Sequence, residues 1–149
     1  MRASVPRMAS KLGNITFDCA DPRALAHFWA DVFGYPRAEY PPAMLQQLRD
    51  AGATDADITS RWIAEDPQGV GPRLYFQRVP EGKVVKNRVH LDIRAAVDHR
   101  STPDDVDAEV ARLETLGASV VNRVNGRWGP FPENHVVMRD PEGNEFCVQ

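Results

Sequence analysis

The chain is short of cysteine: Cys19 and Cys147 are the only two in 149 residues, and neither stands in a CxxC or zinc-knuckle spacing. That excludes a disulfide framework and a cysteine-built zinc module as readings, and the expectation is two reduced thiols in a cytoplasmic protein. Long apolar runs are missing too. No segment approaches the ~20 apolar residues of a membrane span. The opening "MRASVPRMASKLG" has basic residues but no apolar stretch, so no signal peptide is expected. An excess of positive charge is also absent: 18 Lys and Arg against 21 Asp and Glu leave a net charge of -3, with no basic stripe to attract nucleic acid. No Gly-x-Ser-x-Gly, Walker loop or Gly-x-Gly-x-x-Gly occurs, which removes support for a nucleophile elbow, an NTPase and a dinucleotide-binding fold.

What is present is a globular composition, 42% hydrophobic and 26% charged, on a length suited to one domain with a real core. Residues 1–11 read as a flexible arm and 12–149 as a single domain. "NITFDCA" reads as a strand that stops at Asp21-Pro22. There Asp21 is a good N-cap and Pro22 suits the first helical position. Leu25, Phe28, Trp29, Val32 and Phe33 then make one apolar stripe, closed by Gly34. The pattern recurs later. "NRVHLDIRA" (87–95) reads as a strand, Thr102-Pro103 opens a helix with Val106, Val110, Leu113 and Leu116 on one face, and Gly117 closes it.

Three short strands follow the second helix, "ASVVNRV", "HVVMRD" and "NEFCVQ". The first half offers the segment after Gly34, "RWIAED" and "RLYFQRV" as counterparts. "EDPQG" and "RDPEG" are nearly the same turn: Asp66 and Asp140 stand 74 positions apart, and Asn14 and His90 stand 76 apart. Two separately chosen landmarks with nearly one period argue for a duplicated βαβββ unit, the first about 12–80 and the second about 87–149. The main asymmetry is 41–60, an insertion whose Met44, Leu45 and Leu48 predict a short helix serving as a lid or a subunit contact.

Tandem βαβββ units, a first helix opened by Asp-Pro and closed by Gly, "HFWADVFGY" and the closing "DPEGNEF" together resemble the vicinal oxygen chelate superfamily. Within it, the chain resembles the glyoxalase-like group of glyoxalases, bleomycin-resistance proteins and extradiol dioxygenases. The resemblance implies an α+β fold in which the strands curl into a cup-shaped mixed sheet, with helices on the outer face. It also implies a small-molecule ligand inside the cup, and a homodimer. In metal-dependent relatives one residue on each of four strands, usually His or Glu, holds a divalent cation. Those positions carry over to Asn14, Gln77, His90 and Cys147, where only His90 keeps the usual type.

Strand alternation by itself places Asn14, Asp18, Tyr75, Gln77, His90, Asp92 and Cys147 on the polar face, and these are the candidate pocket residues. Asn and Gln offer neutral oxygens, weak ligands alone, so no residue is assigned as a metal ligand and no cofactor is committed. A divalent metal stays open at His90 with Cys147 and Gln77, a set that suits zinc better than a hard cation. The plain alternative is that His90 is a hydrogen-bonding pocket residue and Cys147 a small buried filler. Asp18 and Asp92 are open as an acid–base pair or as salt-bridged carboxylates countered by Arg73, Arg88 or Arg94. Trp128 and Phe131, in "NGRWGPFPENH", read as a loop that gates a ligand or packs on a partner. Three functions remain: a metal-assisted lyase, isomerase or oxygenase; a metal-free binding protein of the bleomycin-resistance type; and a metal-free enzyme.

Overall fold

The computed structural model describes residues 9–149; most of the arm expected at 1–11 lies outside them. The first half runs β1 (Asn14–Cys19), α1 (Pro22–Phe33), α2 (Pro42–Asp50), α3 (Asp55–Ile58), β2 (Arg61–Ala64) and β3 (Arg73–Arg78). The second half runs β4 (Asp92–Ile93), α4 (Pro103–Thr115), β5 (Ser119–Trp128), β6 (Phe131–Arg139) and β7 (Glu145–Val148). The strands form two sheets of mixed direction, β1-β3-β2 and β4-β7-β6-β5. In each, the first strand of the unit pairs in parallel with its last, β1 with β3 and β4 with β7. This is the α+β arrangement expected of a curled βαβββ repeat.

Local chemistry sets the helices. Asp21 accepts the Ala24 N–H, Pro22 stands at the start of α1, and Gly34 closes it in the left-handed region at φ 70°. Thr102 and Asp105 cap α4 reciprocally, each side chain accepting the other's backbone N–H. The stripe of α1 packs on β2 and β3, and α4 on β5, β6 and β7. The two halves share one core. Trp29 and Phe28 of α1 meet Phe146 of β7 edge-on, with ring centroids 5.2 and 6.4 Å apart. Trp29 also donates its indole N–H to Asp140, 3.1 Å away in the second half.

The repeated turn has a physical cause. Asp66 accepts the backbone N–H groups of Gln68, Val70 and Gly71, and Asp140 accepts those of Glu142 and Asn144 together with the Asn144 side-chain amide. Gly69 and Gly143 supply the positive φ that these turns need, 69° and 89°. One carboxylate thus ties each turn shut. The copies differ in setting: Asp140 is buried, whereas Asp66 is only half-buried.

Four sequence expectations change. The segment after Gly34 forms no strand, so the first unit has two strands behind its helices rather than three. The strand expected over 87–95 shrinks to Asp92–Ile93, because Asn87 is drawn away: its N–H goes to the Glu145 carboxylate and its side chain to Asn144. Val89, expected on the core face with Leu91 and Ile93, is therefore 79% exposed. The loop expected around Trp128 and Phe131 is instead a tight hairpin. β5 and β6 continue into it, and the two rings stack across its tip at 6.0 Å. The insertion 41–60 holds two short helices rather than one.

Candidate functional site

Pairing register decides which polar residues meet. In β1 and β3, Asp18 lies opposite Gln77, Thr16 opposite Tyr75 and Asn14 opposite Arg73. Partners across a ladder share a face, so this row looks away from α1. The Gln77 side chain donates to Asp18 at 2.7 Å, and Arg73 donates to Asn14 at 2.8 Å. Asn14 is thus four residues along the strand from the partner of Gln77, and its carbonyl is already engaged. In the second sheet Asp92 lies opposite Cys147, with His90 two residues earlier. Here the structure assembles a cluster: the ligand-type atoms of His90, Asp92 and Cys147 all lie within 4.8 Å of one another. The His90 Nε2 to Asp92 Oδ1 distance is 3.5 Å, with both side chains about half exposed and Cys147 buried behind them.

The carried-over quartet therefore divides. His90 and Cys147 come together, with Asp92 as their third member. Gln77 belongs to Asp18, Asn14 to Arg73, and Tyr75 lies half-buried away from both clusters, beside Trp62 and Met44. Asp18 and Asp92 stand on separate sheets; their partners are Gln77 and His90, and among the described residues no arginine counters either one. Sequence reading missed Asp92 as a neighbour of Cys147 because the register of a parallel pair is not written in either strand alone.

Among the described residues no backbone ladder joins the two sheets. Between the free edge of β1 and the 79–91 connection lies a cleft of about 730 Å³, with Asp18, Lys83, His90, Glu142 and Glu145 among its lining residues. That is within the size range of small-molecule sites. Its polar wall is organised. Glu142 accepts the N–H groups of Ala20 and Asp21, joining the second unit to the start of α1. Glu145 accepts from the Asn87 N–H and from Lys83, and these donors push its carboxyl down to about 2. Lys83 and Asn87 carry no sequence motif and only their placement marks them, whereas Glu142 is the variable residue of the repeated Asp-Pro-x-Gly turn.

The thiols differ in role. Burial, reinforced by the surrounding carboxylates, pushes Cys19 up to about 12, so it is inert at neutral pH. Burial and the adjacent Asp92 also raise Cys147, which makes it a neutral S–H in the free protein.

The glyoxalase-like domain model matches residues 14–149, nearly the entire chain. The chain belongs to the glyoxalase-like domain family. Solved structures agree on the fold. A glyoxalase/bleomycin resistance protein/dioxygenase family enzyme from Burkholderia phytofirmans matches with TM-score 0.58 and 17% identity, over 93% of this chain and 97% of that one. The fosfomycin resistance protein FosX from Listeria monocytogenes, crystallised with Mn(II) and a dihydroxypropylphosphonic acid, matches with TM-score 0.61 and 13% identity, over 95% and 90%. Lactoylglutathione lyase from Agrobacterium tumefaciens matches with TM-score 0.53 and 18% identity, over 95% and 93%. No curated protein matches the sequence.

Among glyoxalase-like proteins, those that use a metal raise the question of fit here. An imidazole nitrogen, a carboxylate oxygen and a sulfur within 4.8 Å form a donor set for a borderline-soft ion such as zinc. At the carried-over positions the first unit offers only neutral amides: the Asn14 oxygen accepts from Arg73, and the Gln77 side chain is held by its nitrogen's bond to Asp18. The residues present thus fit a three-donor centre confined to the second unit, rather than a four-strand set.

Proposed function

We propose that this glyoxalase-like protein takes a small molecule into the cleft between its sheets, and that His90, Asp92 and Cys147 hold a zinc-type cation beside it. The observation behind the reading is the convergence of those three donor atoms, because His90 belongs both to that cluster and to the cleft wall. When bound, such an ion would act as a Lewis acid toward a ligand oxygen. The cleft presents the Lys83 ammonium, held by Glu145, among several carboxylates that include Asp18, which suits a polar ligand with hydroxyl functions. Asp92 brings a carboxylate oxygen to 3.5 Å from His90 Nε2, and the neutral Cys147 thiol must give up its proton to become a ligand, so ion uptake releases protons. The FosX structure with Mn(II) supports metal use on this fold. A lyase, isomerase or dioxygenase activity would follow from that centre.

The test is elemental analysis and thermal melting of the native protein before and after chelation, beside His90→Ala and Cys147→Ser. One equivalent of metal, lost in both variants and on chelation with a lower melting midpoint, is the expected result. Protein that neither carries nor takes up an ion, and melts identically with chelator, overturns it. A second reading then stands: metal-free sequestration of a drug or metabolite, favoured by the amides in the first unit and by the neutral thiol. The homodimer belongs to the same proposal; a light-scattering mass of one 16.6 kDa chain would end it.

A further inference from the structure

Helix α2 is poorly anchored. None of its nine residues is buried, and no side chain caps its N-terminus. Between it and the first sheet is a second cavity of about 330 Å³, which shares no residue with the cleft between the sheets. Its walls are Met44 from α2, Tyr40 from the preceding segment, and Trp62, Ile63 and Tyr75 from β2 and β3. Tyr40 and Trp62 meet edge-on at 4.8 Å. Two of the polar atoms these rings carry are already committed: the Trp62 indole N–H donates to the Ala38 carbonyl at 2.8 Å, and the Tyr40 hydroxyl to the Arg61 carbonyl at 3.4 Å. Those two side chains therefore offer an occupant ring faces and edges rather than hydrogen bonds.

Charge at the rim has one sign left over. Glu39 is bound by Arg23, and Arg73 is bound by Glu65 and Asn14. Arg61 has no ion-pair partner among the described residues, and its side chain is exposed at the mouth. A planar apolar body that ends in one anionic group matches the walls and the rim together.

We infer that the cavity under α2 is a binding site for an aromatic carboxylate, with its ring system between Met44, Trp62 and Tyr75, its carboxylate on Arg61, and α2 as the wall that closes over it. The site is separate from His90, Asp92 and Cys147, and does not depend on a cation there.

The test uses naphthalene-2-carboxylate and its neutral amide, titrated by calorimetry, with amide and indole N–H shifts followed by NMR. Met44 is 47% exposed and Arg61 is exposed, so Met44→Glu and Arg61→Ala should melt like the parent. Expected is saturable 1:1 binding that shifts the Trp62 indole and the Met44 and Tyr75 amides. Arg61→Ala should weaken the carboxylate at least fivefold and leave the amide unchanged, whereas Met44→Glu should weaken both at least tenfold. His90→Ala should bind both as the parent does, which separates this site from the metal centre. No saturable binding, shifts confined to the cleft at Asp18 and His90, or equal affinity in Arg61→Ala would each overturn the inference.

Discussion

Replacing Asp140 by alanine and, separately, Asp66 by alanine asks whether the same turn carries the same weight in both halves. Asp140 is 4% exposed and accepts four hydrogen bonds, from the Trp29 indole, the backbone N–H groups of Glu142 and Asn144, and the Asn144 side chain. Trp29 is 1% exposed and Asn144 9%, so alanine leaves the indole N–H and the Asn144 groups without partners in a place water reaches poorly. A buried donor left unsatisfied costs about 1–3 kcal/mol. Two or three of them, offset by relief of the buried carboxylate's own desolvation, put Asp140→Ala at about 3–5 kcal/mol. Asp66 accepts three backbone N–H groups in a turn that water reaches, so Asp66→Ala should cost only about 1 kcal/mol. Urea unfolding at pH 7, followed by far-UV circular dichroism, reads the difference. With a slope of about 2 kcal/mol/M, the Asp140→Ala midpoint should fall by about 2 M, against about 0.5 M for Asp66→Ala. Equal midpoint shifts would refute the reasoning, because burial would then not be what separates the two turns.

Gly71→Ala should destabilise by about 1–3 kcal/mol, because an added Cβ collides with the Tyr35 ring, whose hydroxyl is held by the Pro72 carbonyl; an unchanged melting midpoint would contradict this. His99 sits between Asp98 and Asp105, and the hydrogen bonds its ring donates to Asp105 first and Asp98 second raise it above its ordinary 6.5. Its contribution to stability is therefore complete below pH 6.5 and is lost as pH rises through the raised value; an NMR titration placing His99 at or below 6.5 would be the contrary result. Asp105 has the opposite sign. Held at about 2 by the Thr102 backbone N–H and by His99, it stabilises above its ordinary 3.8 and loses that contribution as pH falls through about 2, which carboxyl NMR shifts would show.

How far the fold could be read from the sequence follows from where each signal is stored. Both long helices declare themselves locally, through Asp21-Pro22 and Thr102-Pro103 at their starts and a single apolar stripe along each. The repeat is visible because a carboxylate at a fixed place in a turn needs its glycine a few residues on. The site is another matter. Alternation puts Asn14, Asp18 and Gln77 on one face, but only the β1–β3 register tells that Gln77 meets Asp18 and not Asn14. The shortening of β4 depends on Asn87 finding Glu145, 58 residues away, and no window along the chain contains both. Trp128 and Phe131 stand three residues apart beside Gly and Pro, a pattern that reads as loop until the strands on each side are seen to pair through to the tip.

The contact of Trp29 with Phe146 and Asp140 makes the two halves one folding unit. A chain cut at the 80–86 connection would leave the first half with a bare indole and the second with an unfilled carboxylate and an uncovered phenyl ring. Neither half could complete its interior alone. Cut apart, the two halves would each keep one side of a single interior, so their stability is to be found only in the joined chain.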